Sequence, residues 1–346
     1  MAPTDGAIRQ AGPRWRAMLA AMLFLSAALA GCATPTGRPG DALIAQPLRS
    51  IGLAHHHASL ALGQYSRNAG PAAEILPGAT ANVRRACSGD RPAVTWLGHS
   101  SAIISIGGQC ILTDPVLEAN RSLASPLPKR LVDIPFSVDD LPDIDAIILS
   151  HGDYDHLHMP TIAALARRFP DIAILVPPGA AGPGALKRFA RVEQPLPGQA
   201  ARIGGLTVTA ERAYHATRRN LAAIKTGHAF SWVVSDGRTK VLFIGDSGYG
   251  PAFRDIGRSH GPFDLLLVPI GSYEPSELVA AMHANPEEAA RIARDVGARL
   301  AIGIHWGTFA LSPDRPDETV RRFRQAGRKT GVTTRVLPIG GTVVVP

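Results

Sequence analysis

Residues 147–158, IILSHGDYDHLH, constrain this chain more than any other stretch. An apolar run reads as a buried strand that ends at Ser150. Four potential metal ligands follow within six residues: His151, Asp153, Asp155 and His156. A loop after a strand turns several side chains toward one point, and imidazole with carboxylate suits zinc, and also iron or manganese. One such loop cannot complete the shells of two ions, so a fold that uses it must bring other donors alongside.

The same grammar recurs downstream. His215 follows the apolar run 206–210, Asp246 directly follows VLFIG, and His305 follows LAIGI ahead of Trp306. Each is a ligand-type residue on the loop after an expected strand, where a rigid sheet can aim it at a common centre.

Strands are expected at 93–97, 102–106, 110–113, 146–149, 172–176, 206–210, 230–234, 241–244, 265–268, 300–304, 332–336 and 342–345. Helices are expected at 161–168, 180–189, 286–296 and 316–325. The third has the clearest start: Asn285 is a good N-cap, Pro286 suits the first helical position, and Glu287 and Glu288 complement the helix dipole. Many strands with a few interleaved helices indicate a layered α/β domain.

Read together, the order HxDxDH, then His, then Asp in a GDS context, then His resembles the metallo-β-lactamase superfamily. Within it, the chain resembles the branch of the N-acylphosphatidylethanolamine-hydrolysing phospholipase D. The segments that carry this are TWLGHSSAIISIGG, LTDPVL, PKR, LPDIDAIILSHGDYDHLH, AYHATRR, FIGDSGY, HANPEEA and GIHWGTF, and the similarity spans residues 92–322. The resemblance implies an α/β fold, a four-layered αβ/βα sandwich with a binuclear metal site on one edge. By position, His151, Asp153 and His215 would hold one divalent ion and Asp155, His156 and His305 the other, with Asp246 between them. Zinc is the expected metal, with iron or manganese as alternatives. A hydroxide bridging the ions would attack phosphorus, Asp155 would orient it, and His283 would orient or protonate the leaving oxygen. Arg218 and Arg219 would clamp the phosphate. One departure stands out: the family usually has His where this chain has Asp153, which adds negative charge and a harder donor. His99, in the GHS turn, is expected to support the site rather than to ligate.

The implied reaction is phosphodiester hydrolysis of the phospholipase D type, on N-acylphosphatidylethanolamine-like or related lipids. Two alternatives stay open. The same centre would serve a lactonase or another carbonyl hydrolase, and a chain that kept the fold without catalysis would be an envelope lipoprotein that binds lipid or a partner.

The N-terminus reads separately. Arg9, Arg14 and Arg16 precede an apolar stretch at 17–29 that ends in Leu29-Ala30-Gly31-Cys32. That stretch is shorter than the ~20 residues a membrane span needs, and it resembles a bacterial lipobox with Cys32 as the lipidated residue. The expected organisation is a lipoprotein signal peptide at 1–31, a tether and N-terminal arm at 32–91, and the hydrolase domain at 92–346. The protein would then be exported and anchored through lipid in an outer membrane, facing the periplasm. Without the signal peptide the formal net charge falls from +8 to about +6, which suits anionic lipid head groups. Nucleic acid is not an expected partner, since no dense Lys/Arg run is interleaved with aromatics. Of the three cysteines, Cys87 and Cys110 remain beside the lipidated one, and an exported chain permits but does not require their pairing. The oligomeric state is not legible.

Overall fold

The computed structural model describes residues 70–346 except 119–128, 182, 183, 185, 221, 222 and 227, together with His56, Ser59, Gln64 and Tyr65. Cys32 and the expected signal peptide lie outside the described residues. The chain divides into Met1–Gln64 and Tyr65–Pro346, and every element below belongs to the second unit.

Two seven-stranded sheets form the body. The first contains β1 (Ala93–Gly98), β2 (Ser101–Ile106), β3 (Gln109–Thr113), β4 (Ala146–Ile148), β5 (Ala173–Leu175), β6 (Arg191–Glu193) and β16 (Thr342–Val344), in the order β16-β1-β2-β3-β4-β5-β6. The second contains β7 (Ala200–Ile203), β8 (Leu206–Arg212), β11 (Phe230–Ser235), β12 (Lys240–Phe243), β13 (Phe263–Pro269), β14 (Ala298–Ile304) and β15 (Thr333–Arg335), in the order β15-β14-β13-β12-β11-β8-β7. A separate ribbon pairs β9 (Ala216–Asn220) with β10 (Ala223–Thr226). Each sheet is antiparallel in one half and parallel in the other: β3, β4, β5 and β6 run parallel in the first, and β12, β13, β14 and β15 in the second.

The layering follows from side-chain alternation. In β13 every residue from Leu265 to Val268 is fully buried. Successive side chains in a strand point to opposite faces. Leu265 and Leu267 therefore join the core shared by both sheets, while Leu266 and Val268 join a second core. That second core is completed by Phe253 and Ile256 from α3 (Ala252–His260), Ile292 and Ala293 from α5 (Pro286–Asp295), and Phe323 from α6 (Pro316–Thr330). Burying each of the larger of these side chains, Phe253, Ile256, Ile292 and Phe323, contributes about 1.5–3 kcal/mol. On the first sheet, α2 (Met159–Arg168) contributes Ile162 and Leu165 to the larger core. Helix, sheet, sheet and helix make the expected sandwich. Ahead of β1, α1 (Ala79–Arg84) already places Ala79 and Val83 in that larger core, and a short α4 (Ser276–Val279) precedes α5.

The expected N-cap of α5 is realised as a capping box: the Asn285 side chain accepts from Glu288 N, and the Glu288 carboxylate accepts from Asn285 N. The expected helix at 180–189 is not there; its described residues form turns and bends. Gly184 sits at φ +81, and this chain segment approaches the metal-type loop so closely that a Cβ on Gly152 would stand 2.3 Å from the Ala180 carbonyl oxygen. Helix α3, in turn, forms where no helix was expected. Its interior glycine, Gly257, lowers helix propensity but lets the helix lie against α5, since a Cβ there would meet the Asp295 carbonyl oxygen at 2.3 Å. Cys87 and Cys110 form a disulfide.

Candidate metal centre

The parallel halves of the two sheets deliver their strand ends to one place. β3 ends beside Asp114, β4 runs into His151, β12 into Asp246, and β14 into His305. Carboxyl ends of parallel strands are where α/β sheets bind ligands, because the loops there are free to carry function while the strands stay fixed. His215 arrives from the loop after β8.

All seven donors expected from the sequence come together. His215 Nε2 lies 3.3 Å and His151 Nε2 3.6 Å from Asp153 Oδ2. On the other side, His156 Nε2 is 3.7 Å and His305 Nε2 3.8 Å from Asp155 Oδ2. Asp246 stands between, its Oδ2 3.3 Å from His156 Nε2 and its Oδ1 3.1 Å from His305 Nε2. Ligand atoms of His151, His215 and Asp246 also lie within 4.8 Å of one another. Two ligands held at about 2.0–2.1 Å by a tetrahedral ion are about 3.3–3.4 Å apart, so these spacings suit a cation at the centre of each set.

The hydrogen bonds around the rim leave the inward nitrogens as lone pairs. His156 Nδ1 donates to Asp114 Oδ2 at 2.7 Å. The Ser150 hydroxyl donates to the same carboxylate, so His151 Nδ1, 2.9 Å from Ser150 Oγ, is the donor in that pair. His215 Nδ1 donates to the Met282 carbonyl at 3.2 Å. In each ring the outer nitrogen carries the proton and Nε2 faces inward, as outer partners of metal-binding histidines arrange it. Among the described residues, the buried atoms His151 Nε2, His156 Nε2, His305 Nε2 and Asp246 Oδ1 have no hydrogen-bond partner. Buried polar atoms are rarely left unpaired, and four converging on one point fit a cation binding site.

The electrostatics agree. Burial alone would raise the carboxyl groups of Asp153, Asp155 and Asp246, but the surrounding imidazoles outweigh it and hold all three well below the usual carboxylate range. Burial opposes protonation of His305, yet the carboxylates of Asp246 and Asp155 raise its ring to about 9. A net of ionised carboxylates in a buried pocket calls for positive charge. Protons on these rings supply it in the bare protein, and cations would displace them.

A family model described as a β-lactamase superfamily domain matches residues 109–306. The chain belongs to the metallo-β-lactamase superfamily. Within that superfamily it is 39% identical over 287 residues to an uncharacterized protein of Mycobacterium tuberculosis, covering 80% of this chain and 74% of that protein. It is 33% identical over 234 residues to N-acyl-phosphatidylethanolamine-hydrolyzing phospholipase D 1 of Caenorhabditis elegans, covering 63% of this chain and 64% of that protein. Among solved structures, Igni18, a metallo hydrolase of Ignicoccus hospitalis, matches with a TM-score of 0.55 at 19% identity, over 73% of this chain and 97% of that one; this likeness speaks to the fold alone. Family and donor set together make this superfamily member a metal-dependent hydrolase.

The remaining expected residues fall into place unevenly. His283 lies at the rim, its Nδ1 3.9 Å from Asp246 Oδ2 and its ring 5.1 Å from that of His215. Burial lowers it to about 3, so it is neutral near pH 7. His99 is buried, and its Nε2 sits 3.0 Å from Asp155 Oδ2, which gives the support expected of the GHS turn. Arg218 and Arg219 occupy β9, but their side chains lie outside the described residues. His158 is not among the donors; its ring pairs with Thr161 Oγ1 at 2.8 Å.

Two residues were not anticipated. Asp114 is fully buried and backs His156; its signal was present, an aspartate directly after the apolar strand in LTDPVL, but no ligand role recommended it. Thr217 donates to Asp153 Oδ1 at 2.7 Å, and nothing in the sequence distinguishes it from other threonines.

Proposed function

We propose that this chain hydrolyses a lipid phosphodiester in the manner of a phospholipase D, using two divalent ions, with zinc the leading candidate. The observation that carries the reading is the cage of seven inward-facing donors, spaced for two cations that share Asp246. His151, Asp153 and His215 would hold one ion, and Asp155, His156 and His305 the other. When bound, such a pair supplies Lewis acidity and an ionised water at neutral pH.

The chain's own groups do the rest. Asp155, fixed by His99, orients the nucleophile through the oxygen that faces the cage. His283 hydrogen-bonds the leaving oxygen from the rim. Arg218 and Arg219, shortly after His215 on β9, supply positive charge for the phosphate. The similarity to the nematode phospholipase D supports a lipid phosphodiester over a lactone. A lipid anchor at Cys32 would keep the centre beside its substrate at the outer membrane, facing the periplasm. The Cys87–Cys110 disulfide supports that placement, since disulfides persist in oxidising compartments.

The deciding experiment incubates the mature protein and its Asp246→Ala variant with a bacterial phospholipid extract and profiles the lipids. The expected result is conversion of a phosphodiester lipid to its phosphatidate by the parent chain only. Untouched phospholipids beside an opened lactone would replace the reading with a lactonase. No turnover of either, with no bound metal, would leave a binding lipoprotein. Cys32→Ser is expected to release the protein from membranes while turnover of a soluble substrate is unchanged; continued membrane association would overturn the anchor.

A further inference from the structure

Asp153 stands where the family resemblance expects an imidazole, and the structure holds it in a particular way. Its Oδ1 accepts the Thr217 hydroxyl at 2.7 Å. Its Oδ2 faces His215 Nε2 at 3.3 Å and His151 Nε2 at 3.6 Å. A carboxylate left to itself can swing and offer a cation either oxygen, or both. With one oxygen tied outward, only the other is presented. Thr217 is buried, at 3% exposure, so water does not readily replace its hydroxyl. It lies two residues beyond His215, a spacing that puts side chains of an extended segment on one face. One short stretch of chain thus carries a donor and the group that aims its neighbour.

The opposite carboxylate is held otherwise. His99 contacts Asp155 on Oδ2, the same oxygen that faces His156 and His305, and the Asp155 side chain is less exposed than that of Asp153, 16% against 23%. The two cation positions now match in composition, two imidazoles and one carboxylate each, with Asp246 shared. They differ in what keeps the carboxylate in place.

We propose that Thr217 is a positioning residue that makes Asp153 a one-oxygen ligand and so sets the affinity of the His151–Asp153–His215 position, which is the first of the two to release its ion. The inference rests on the two-ion reading above. It concerns metal retention and does not depend on which substrate is turned over.

The test loads the full chain with Zn2+, titrates it with a competing chelator, and counts the zinc that remains by mass spectrometry. The parent protein is expected to lose two ions in two steps. Thr217→Val should release the first ion at roughly 10–100-fold less chelator, the usual cost of losing an outer partner, and leave the second step unmoved. Thr217→Ser should restore the parent profile. With Asp153→His in place, Thr217→Val should change nothing, because no carboxylate remains to be aimed. Should the valine variant fail to fold, Thr217→Ala removes the hydroxyl without adding a methyl against the carboxylate and carries the same expectation. A parent-like profile for the hydroxyl-free variants overturns the inference and spares the two-ion reading. So does a shift that persists with His at position 153. A parent chain that holds fewer than two zinc ions overturns both.

Discussion

On the side of Asp155, His156 and His305, the outer partners are two titratable side chains: the Asp114 carboxylate behind His156, 0% exposed, and the His99 ring behind Asp155, 2% exposed. On the side of His151, Asp153 and His215, the partners are a serine hydroxyl, a threonine hydroxyl and a backbone carbonyl, all neutral. A carboxylate behind a histidine strengthens that ring as a ligand, whereas a hydroxyl or carbonyl mainly orients it. The difference sets the two halves apart: one has a buried carboxylate behind its donors, and the other has neutral groups alone.

Removing the shared group should produce the largest effect. Asp246→Ala takes a donor from both halves, so turnover is expected to fall to background and both ions to be lost in metal analysis. An Asp246→Ala protein that keeps its full metal content would break the idea of a common carboxylate. Next comes the half backed by Asp114. Asp114→Asn keeps the shape but removes the charge behind His156, and should weaken one ion by about 10–100-fold while the other stays. Asp114→Ala additionally leaves the Ser150 amide unpaired and should cost about 1–3 kcal/mol in denaturant unfolding. Ser150→Ala, which removes a neutral partner from His151, should sit at the low end of that range, about 10-fold, in the same titration. If it matched Asp114→Asn, the contrast between charged and neutral partners would fail. The smallest change lies outside both halves. Asn285→Ala opens the capping box of α5 at a cost of about 1 kcal/mol, with metal content unaltered. Thermal unfolding should then shift by only about 2–4 °C.

The sequence exposed one part of this plan more clearly than the rest. His151, Asp153, Asp155, His156, His215, Asp246 and His305 were legible because each follows an apolar strand, and strand ends are where a sheet aims side chains. Asp114 obeys the same rule. Its role is hidden because its partner His156 lies 42 positions away, and pairing across that separation depends on β3 and β4 lying side by side. Thr217 was invisible for another reason: a hydroxyl is common, and only its distance from Asp153 gives it meaning. The helix expected at 180–189 failed where local pattern met tertiary packing: Ala180 lies against Gly152, and Gly184 takes a positive φ. Helix α3 was missed for the converse reason, since Gly257 looks like a breaker until the Asp295 carbonyl is placed against it.

Four residues other than glycine adopt positive φ among the described residues, and three of them form or border the cage: His99 at 52°, Asp114 at 31° and His305 at 59°. Left-handed backbone is uncomfortable for a side chain with a Cβ, by roughly 1 kcal/mol or more per position, and glycine would relieve it. For the shape alone, those exchanges would be a gain. This chain has two histidines and an aspartate bent through corners suited to a residue with no side chain. That discomfort has its return in the three side chains it positions, which a glycine at those corners would not supply.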